Sequence, residues 1–381
     1  MKRWADVLHE SPCCYNPAMF PRCNRRRFFQ TLASAAVWPA LGARSEELTG
    51  DVKLTMPANL SDESLSFIQQ LGVGWVTMGG PGAPTYSPEG RVISRPGDEA
   101  NAGGPWTAEQ IREVQQRVES FGLKIGNLML HDFRNVILGR PGRDEDIDKV
   151  RQSIRVAGKA GIPVVEYNFY ALRAMGGYYR KPGRAGIEYA AHDYDRSKDL
   201  PVLPDVGEHP ADALWERYTY FLKAVVPVAQ EAGVRLAVHP NDPPPPRYRG
   251  CDQILGSIEG LKRLVDIVRS PHNGITFDTG VTREMGHNPL ELIPYFGGRD
   301  QINHVHFRNV ITEVPRLKYT EVFIDEGQVD MGAALGALRK TGYPRLLHPD
   351  HVPSLPGDER QRAGWGYAVG HIKALLRQAQ G

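Results

Sequence analysis

The feature that most constrains this chain is a rhythm. From residue 51 onward, short runs rich in Val, Ile, Leu and aromatic residues alternate with longer amphipathic stretches. The runs lie at 52–56, 74–78, 123–130, 163–169, 235–239, 274–278, 302–307 and 345–348. Several lack strict apolar–polar alternation, as parallel strands covered by helices do. Between them, Ser61-Asp62-Glu63-Ser64 reads as the N-cap of a helix over 65–70, and Thr107-Ala108-Glu109-Gln110 does the same for 111–121. Residues 144–160 and 215–232 carry apolar side chains at helical spacing. Four helices end on a glycine just past the apolar face, Gly72, Gly122, Gly161 and Gly233, with a strand soon after. Eight such β–α units in about 330 residues predict a single closed (β/α)8 TIM barrel. The alternative is a doubly wound sheet, but no glycine-rich phosphate loop follows any strand. Two excursions, 79–105 and 172–210, follow the C-terminal ends of strands, where barrel enzymes build substrate loops.

The first 43 residues differ from the rest. Asn24-Arg25-Arg26-Arg27-Phe28-Phe29-Gln30 runs into a small-residue, apolar stretch ending Pro39-Ala40-Leu41-Gly42-Ala43. This reads as a twin-arginine signal over 1–43, with a TIM-barrel catalytic domain over 44–381 and a periplasmic destination in a bacterium. A basic amphipathic helix capping the fold is the bland alternative. The stretch before the arginine pair is long, so Met19 is a second candidate start. The leader holds six Lys/Arg against two Asp/Glu, which leaves 40 against 42 afterwards, a net charge of −2. Nothing in that balance calls for nucleic acid or an anionic membrane, and no apolar run approaches the ~20 residues of a membrane span. Cys13, Cys14 and Cys23 fall in the leader, so Cys251 alone remains and no internal disulfide is expected.

Function is written at the strand ends. The fifth strand runs into His239-Pro240-Asn241-Asp242-Pro243-Pro244, and the sixth ends Thr276-Phe277-Asp278-Thr279-Gly280. The seventh carries Asn303-His304-Val305-His306-Phe307-Arg308-Asn309, and the eighth ends His348-Pro349-Asp350-His351. A lone strand-end histidine is more often structural than a ligand, and an aspartate there often only caps the next helix. Four adjacent strands each ending in such donors on one face point instead to a divalent cation. His304 and His306 share a parity; His306, nearer the mouth, is the expected ligand, and His304 is expected to pack or to orient it. Asp325, Glu326 and Asp330 read as solvated charge.

The segments 239–244, 276–280, 305–310, 321–331 and 349–353, with Tyr167-Asn168-Phe169 and 366–375, resemble the signature segments of the mannonate dehydratase family, in order over about 52–378. The resemblance implies His239, Asp278, His306 and Asp350 as metal ligands, His351 as an acid/base, and a tyrosine further on. Tyr367 is named for that role as the only tyrosine in the last twenty residues. Asp278 stands where the family has cysteine, which favours Mn2+, with Mg2+ or Fe2+ next and Zn2+ still open. Glu166 is a second departure, since the family often carries an apolar residue or cysteine there.

The implied chemistry is loss of water from a sugar acid, D-mannonate to 2-keto-3-deoxy-D-gluconate. The proton beside a carboxylate is weakly acidic, so its removal needs a cation to stabilise the enediolate, a base, and an acid for the leaving hydroxyl. His131, Asn168, Arg308 and Asn309 are candidate substrate contacts. A xylose-isomerase-like isomerase or epimerase, or an exported sugar-acid binding protein, are the competing readings. Partners beyond the sugar acid are the twin-arginine export machinery and, left open, a second copy of the chain.

Overall fold

The computed structural model describes residues 52–81, 85–86, 92–94, 105–131 and 133–378. The leader at 1–43 and most of the first excursion lie outside the described residues. Eight parallel strands close on themselves: β1 (Lys53–Pro57), β2 (Trp75–Gly79), β3 (Lys124–Leu130), β4 (Val164–Asn168), β5 (Arg235–His239), β6 (Asn273–Asp278), β7 (Ile302–His306) and β8 (Leu346–His348). Each pairs with its neighbours in sequence, and β1 pairs with β8 through Lys53 and Leu346. The chain therefore winds once around, as the eightfold rhythm requires. No helix among the described residues is long and apolar enough to cross a membrane.

Local chemistry sets the boundaries. The Ser61 hydroxyl accepts from the Ser64 amide to open the helix Asp62–Gln70, and Thr107 forms a reciprocal capping box with Gln110 to open Ala108–Glu119. All four helix-closing glycines have φ between +65° and +73°, the left-handed turn that releases each chain toward the next strand.

Side-chain parity then separates core from site. On β4, Tyr167 points outward, where its hydroxyl meets that of Tyr218 at 2.9 Å. With Phe169, Phe133 and Phe221 it forms an aromatic wedge against the helix Ala211–Ala232; Phe169 and Tyr218 stack with centroids 4.0 Å apart. Glu166, one residue earlier, therefore points inward. It reaches Asn127 of β3, Thr276 of β6 and His306 of β7, contacts that run only through the barrel interior.

The second excursion and the segment after β7 build one element that sequence periodicity did not announce. Asn309–Val314, Lys318–Val322, Glu188–Asp193 and Tyr178–Pro182 pair in that order as a four-stranded antiparallel sheet. Tyr178 and Tyr319 both lie opposite His192, so three rings line up across it. At the opposite, N-terminal end of the barrel, Asp300 clasps Arg235 and Arg345 at 2.7 Å each.

Candidate active site

Strand register brings the expected donors together at the C-terminal mouth. Asp278 pairs with His306, and His306 with His348, so β6, β7 and β8 end level. His239, Asp278, His306 and Asp350 each offer a ligand atom within 4.8 Å of all the others. His239 Nε2 and His306 Nδ1 are 3.0 Å apart, and His306 Nδ1 is 3.3 Å from Asp350 Oδ2. Asp278 Oδ2 lies 3.7 Å from His239 Nε2 and 3.8 Å from His306 Nδ1. These are the separations of donors around one cation with bonds of about 2.1 Å.

The charge state of the cup fits a cation as well. Burial disfavours charge on His306, yet Glu166 and Asp350 outweigh it and hold the imidazole well above its ordinary value. Two ring nitrogens and two carboxylates are a donor set for Mn2+, Fe2+ or Mg2+.

Beneath the cup, Glu166 holds His306. Its Oε1 lies 3.3 Å from His306 Nε2 and accepts from the Thr276 hydroxyl at 2.7 Å, while Oε2 accepts from Asn127 Nδ2 at 2.7 Å. With Nε2 facing Glu166, Nδ1 is the ring nitrogen turned toward the cup. His304 also points inward, fully buried, its ring against His306 and His348 with centroids at 5.2 and 6.0 Å. Burial lowers its imidazole to about 3.

Asp278 satisfies both readings of a strand-end aspartate. Its Oδ1 caps the following helix by accepting from the Val281 amide at 2.7 Å, and its Oδ2 faces the cup. The same Oδ2 accepts from Arg308 Nε at 2.9 Å.

Two of the expected substrate contacts are corrected here. Arg308 is 2% exposed, and its other two nitrogens reach Glu284 at 2.8 Å and Asp242 at 3.2 Å. A guanidinium spent on three carboxylates organises the mouth and has little surface left to offer a substrate. Asn309 donates twice, to the carbonyls of Ile324 and Val329, and accepts from the amides of Val310 and Val329. It pins the 321–331 segment in place. Asn168 ends β4 directly opposite His239, on the rim. His131 follows β3 with Nε2 3.5 Å from the Gly80 carbonyl.

His351 stands beside the cup, with Nε2 3.5 Å from Asp350 Oδ2. Its φ of 48° is the reason: an extended chain would turn successive side chains apart, whereas this left-handed residue keeps both at the mouth. Burial opposes its charge, but Asp350 and Glu321 push the imidazole up to about 10. Tyr367 lies behind Asp350 and His351, where it lines a separate, smaller pocket with them. It is 41% exposed, its hydroxyl donates to Asp325 at 2.7 Å, and its ring packs on Phe323. The side chain that shares His351's cavity from that helix is Trp365.

That cavity, about 340 Å3, is walled by Asp350, His351 and Trp365 on the barrel side. Arg173, Tyr178, Arg180 and Glu321 face them from the loops and the four-stranded sheet. Arg173 is steadied by donating from Nε to the Asp242 carbonyl at 3.0 Å. Asp242, Glu284, Tyr178 and Glu321 are functional neighbours that sequence reasoning did not single out. For Asp242 a signal existed, since it lies inside the strand-five segment; for the others the partners are remote in sequence.

Known proteins agree with this geometry. A family model described as D-mannonate dehydratase (UxuA) matches residues 89–197 and 203–379. The mannonate dehydratase of Streptococcus pneumoniae (strain 70585) is 31% identical over 292 residues, covering 69% of this chain and 79% of that protein. Mannonate dehydratase 2 of Halalkalibacterium halodurans is also 31% identical, over 69% of this chain and 84% of its own length. Among solved structures, the mannonate dehydratase of Streptococcus suis serotype 2 superposes with a TM-score of 0.73 at 26% identity, covering 87% of this chain and 96% of that one. A xylose isomerase domain protein from Planctomyces limnophilus covers 87% of this chain and 98% of its own with a TM-score of 0.53; at 14% identity it shares the fold alone. On the extent of the family match and the identity to these relatives, the chain belongs to the mannonate dehydratase family.

Proposed function

We propose that this chain is a metal-dependent hydro-lyase that converts D-mannonate to 2-keto-3-deoxy-D-gluconate and water. One observation carries the reading: Asp350 of the four-donor cup and His351 beside it line one cavity, which two arginines face from the other wall. His239, Asp278, His306 and Asp350 would hold the cation, with Mn2+ favoured by the two hard carboxylates. Bound there, a dication supplies Lewis-acid stabilisation for the enediolate that forms next to the substrate carboxylate. Arg173 and Arg180 present positive charge to an anionic sugar acid entering the cavity. His351 handles the proton of carbon 2. Asp350 is the largest source of the charge that holds its imidazole protonated, so sharing that carboxylate with a dication frees Nε2 to accept.

Glu166 lies below the cup, where Asn127, Thr276 and His306 contact it and where it also groups with His304 and His306. Purified chain with Mn2+ should release a 2-keto-3-deoxy acid from D-mannonate. Metal retained with no product across a panel of aldonates would leave a binding protein instead.

Export belongs to the same proposal. The Arg25-Arg26 pair ahead of a small-residue apolar stretch supports delivery by the twin-arginine machinery, with the chain after Ala43 acting in the periplasm. Replacing both arginines with lysine should hold the protein in the cytoplasm, and unchanged export would refute it. Self-association is compatible with this reading.

A further inference from the structure

Elimination of water needs a second proton-handling group, one that gives a proton to the hydroxyl leaving carbon 3. Tyr367 does not reach the cavity. We propose that Tyr178 is this group, an assignment that rests on the dehydratase reading above.

Tyr178 lines the same cavity as Asp350 and His351. It sits in a closed ring of polar side chains. His351 Nδ1 is 3.0 Å from Glu321 Oε1, and the Tyr178 hydroxyl donates to that same oxygen at 3.2 Å. The Tyr178 hydroxyl is also 3.0 Å from that of Tyr319, which donates to Asp242 Oδ1 at 3.2 Å. Asp242 Oδ2 closes the ring 3.6 Å from His351 Nε2. Tyr319 is 1% exposed and has no access to substrate, so Tyr178 is the phenol of the pair that does.

Its placement is built in. The His192 ring packs edge-on against Tyr178 and face-on against Tyr319, with centroids at 5.4 and 5.5 Å. Gly177 makes that approach feasible, because a Cβ there would lie 2.4 Å from His192 Nε2. With its hydrogen shared between the Glu321 carboxylate and the Tyr319 oxygen, the Tyr178 hydroxyl is already directed along the ring and needs only a turn toward the cavity to meet a third acceptor.

The step balances without any oxidant. The bond from carbon 2 to hydrogen breaks and His351 Nε2 takes the proton. The electron pair left behind forms the double bond to carbon 3. The bond from carbon 3 to oxygen breaks, and that oxygen leaves as water carrying the Tyr178 proton. The imidazolium of His351 then loses its Nε2 proton, and the Tyr178 phenolate regains one, through water that enters as product leaves, which restores both groups. The enol tautomerises to the 2-keto-3-deoxy acid.

Tyr178→Phe tests this, with Tyr367→Phe as its control and Mn2+ content and thermal midpoint measured on both. Tyr178→Phe should keep its metal and its fold, lose about 100- to 1,000-fold in product formation from D-mannonate, and still exchange the carbon-2 hydrogen with deuterated solvent. A 3-deoxy-3-fluoro aldonate, whose fluoride leaves without a proton, should recover most of the loss. Tyr367→Phe should turn over normally. Product formation by Tyr178→Phe within tenfold of the parent would overturn the assignment. So would equal loss of exchange and of product, or no relief with the fluoro substrate, because a merely structural role predicts those. A parent chain that makes no product from any aldonate would sink the dehydratase reading itself, and Tyr178's role with it.

Discussion

Arg308 is the residue whose removal should cost the fold most. Its three nitrogens meet Asp278, Glu284 and Asp242 at 2.9, 2.8 and 3.2 Å, and the whole group is 2% exposed. Arg308→Met keeps the volume and deletes the charge. At an effective dielectric of about 20, each such contact is worth roughly 5 kcal/mol of gross attraction, but desolvation of the ions offsets most of it. Removing one partner of a buried pair costs about 3–5 kcal/mol, because it strands the remaining charges. The three carboxylates will not respond alike. Burial already pushes Glu284 well above the usual range, so it can shed its charge by keeping a proton. Asp242 cannot do so cheaply: burial raises it, yet Arg308 and then His351 hold it well below the usual range. Asp242 therefore contributes stability above the unfolded carboxylate value near ~3.9 and loses it as pH falls through its depressed native value. The expected result is a loss of about 3–5 kcal/mol at pH 7 in metal-free urea unfolding, a gap that narrows below about pH 4. Arg308→Lys should recover less than half, since one ammonium cannot serve three carboxylates in a fixed fork. Arg308→Met within about 1 kcal/mol of the parent at pH 7 would refute the reasoning.

Glu166→Gln should weaken Mn2+ binding by about 10- to 100-fold, read by calorimetric titration, because it removes the anion that fixes His306 with Nδ1 toward the cup. Unchanged affinity would make Glu166 a mere core residue. Asp278→Cys should still bind metal but shift preference toward Zn2+ over Mn2+, and should lose about 1 kcal/mol for the weaker helix cap. Identical Zn2+ to Mn2+ ratios in both proteins would remove Asp278 from the ligand set. Asp300→Asn should flatten the acid limb of the thermal unfolding curve. Burial raises Asp300, but hydrogen bonds from Arg235 and Arg345 outweigh it and lower it. The parent's advantage should be present above pH ~3.9 and fade as pH falls further; parallel curves from pH 7 to pH 3 would contradict it.

The barrel was legible because its signals are local. Each of the eight strands falls within one or two residues of the run that announced it, as with 123–130 against Lys124–Leu130 and 274–278 against Asn273–Asp278. Left-handed glycine stops close four of the helices and side-chain caps open two of them, and neither signal depends on tertiary partners. The four-stranded sheet over the mouth was not read. Its two hairpins, turning at 183–187 and 315–317, are separated by over a hundred residues and pair only through the contact of Lys318–Val322 with Glu188–Asp193. The grouping of His239, Asp278, His306 and Asp350 was legible because four strand ends of one barrel must converge. Position along a helix fixes direction: two residues from Trp365, Tyr367 faces a different side, so Trp365 lines the cavity in front of His351 and Tyr367 the smaller pocket behind it. Arg308 and Asn309 were read as contacts because polar residues after a strand end invite that reading, and nothing local reveals how many buried partners each has.

The mouth has more negative charge than its own cations can balance. Among the described residues, Asp242, Asp278, Glu284, Glu321 and Asp350 converge there with Glu166 just beneath, six carboxylates faced by the buried Arg308 and by Arg173 and Arg180 on the cavity wall. Charges of one sign cannot be buried together without compensation, and the chain compensates with protons. Burial pushes Glu284 up toward its neutral form, while Glu166 and Asp350 raise His306 and Asp350 with Glu321 raise His351. Such protons sit on the very nitrogens that a ligand or a base must offer free. A fold selected for stability alone would replace this arrangement with apolar side chains, which is often neutral or favourable by a few kcal/mol. The surplus is intelligible only if positive charge arrives from outside, as a dication in the cup. With that charge in place, the proposed ligand His306 and the proposed base His351 would each be relieved of the proton that the carboxylates otherwise hold on them.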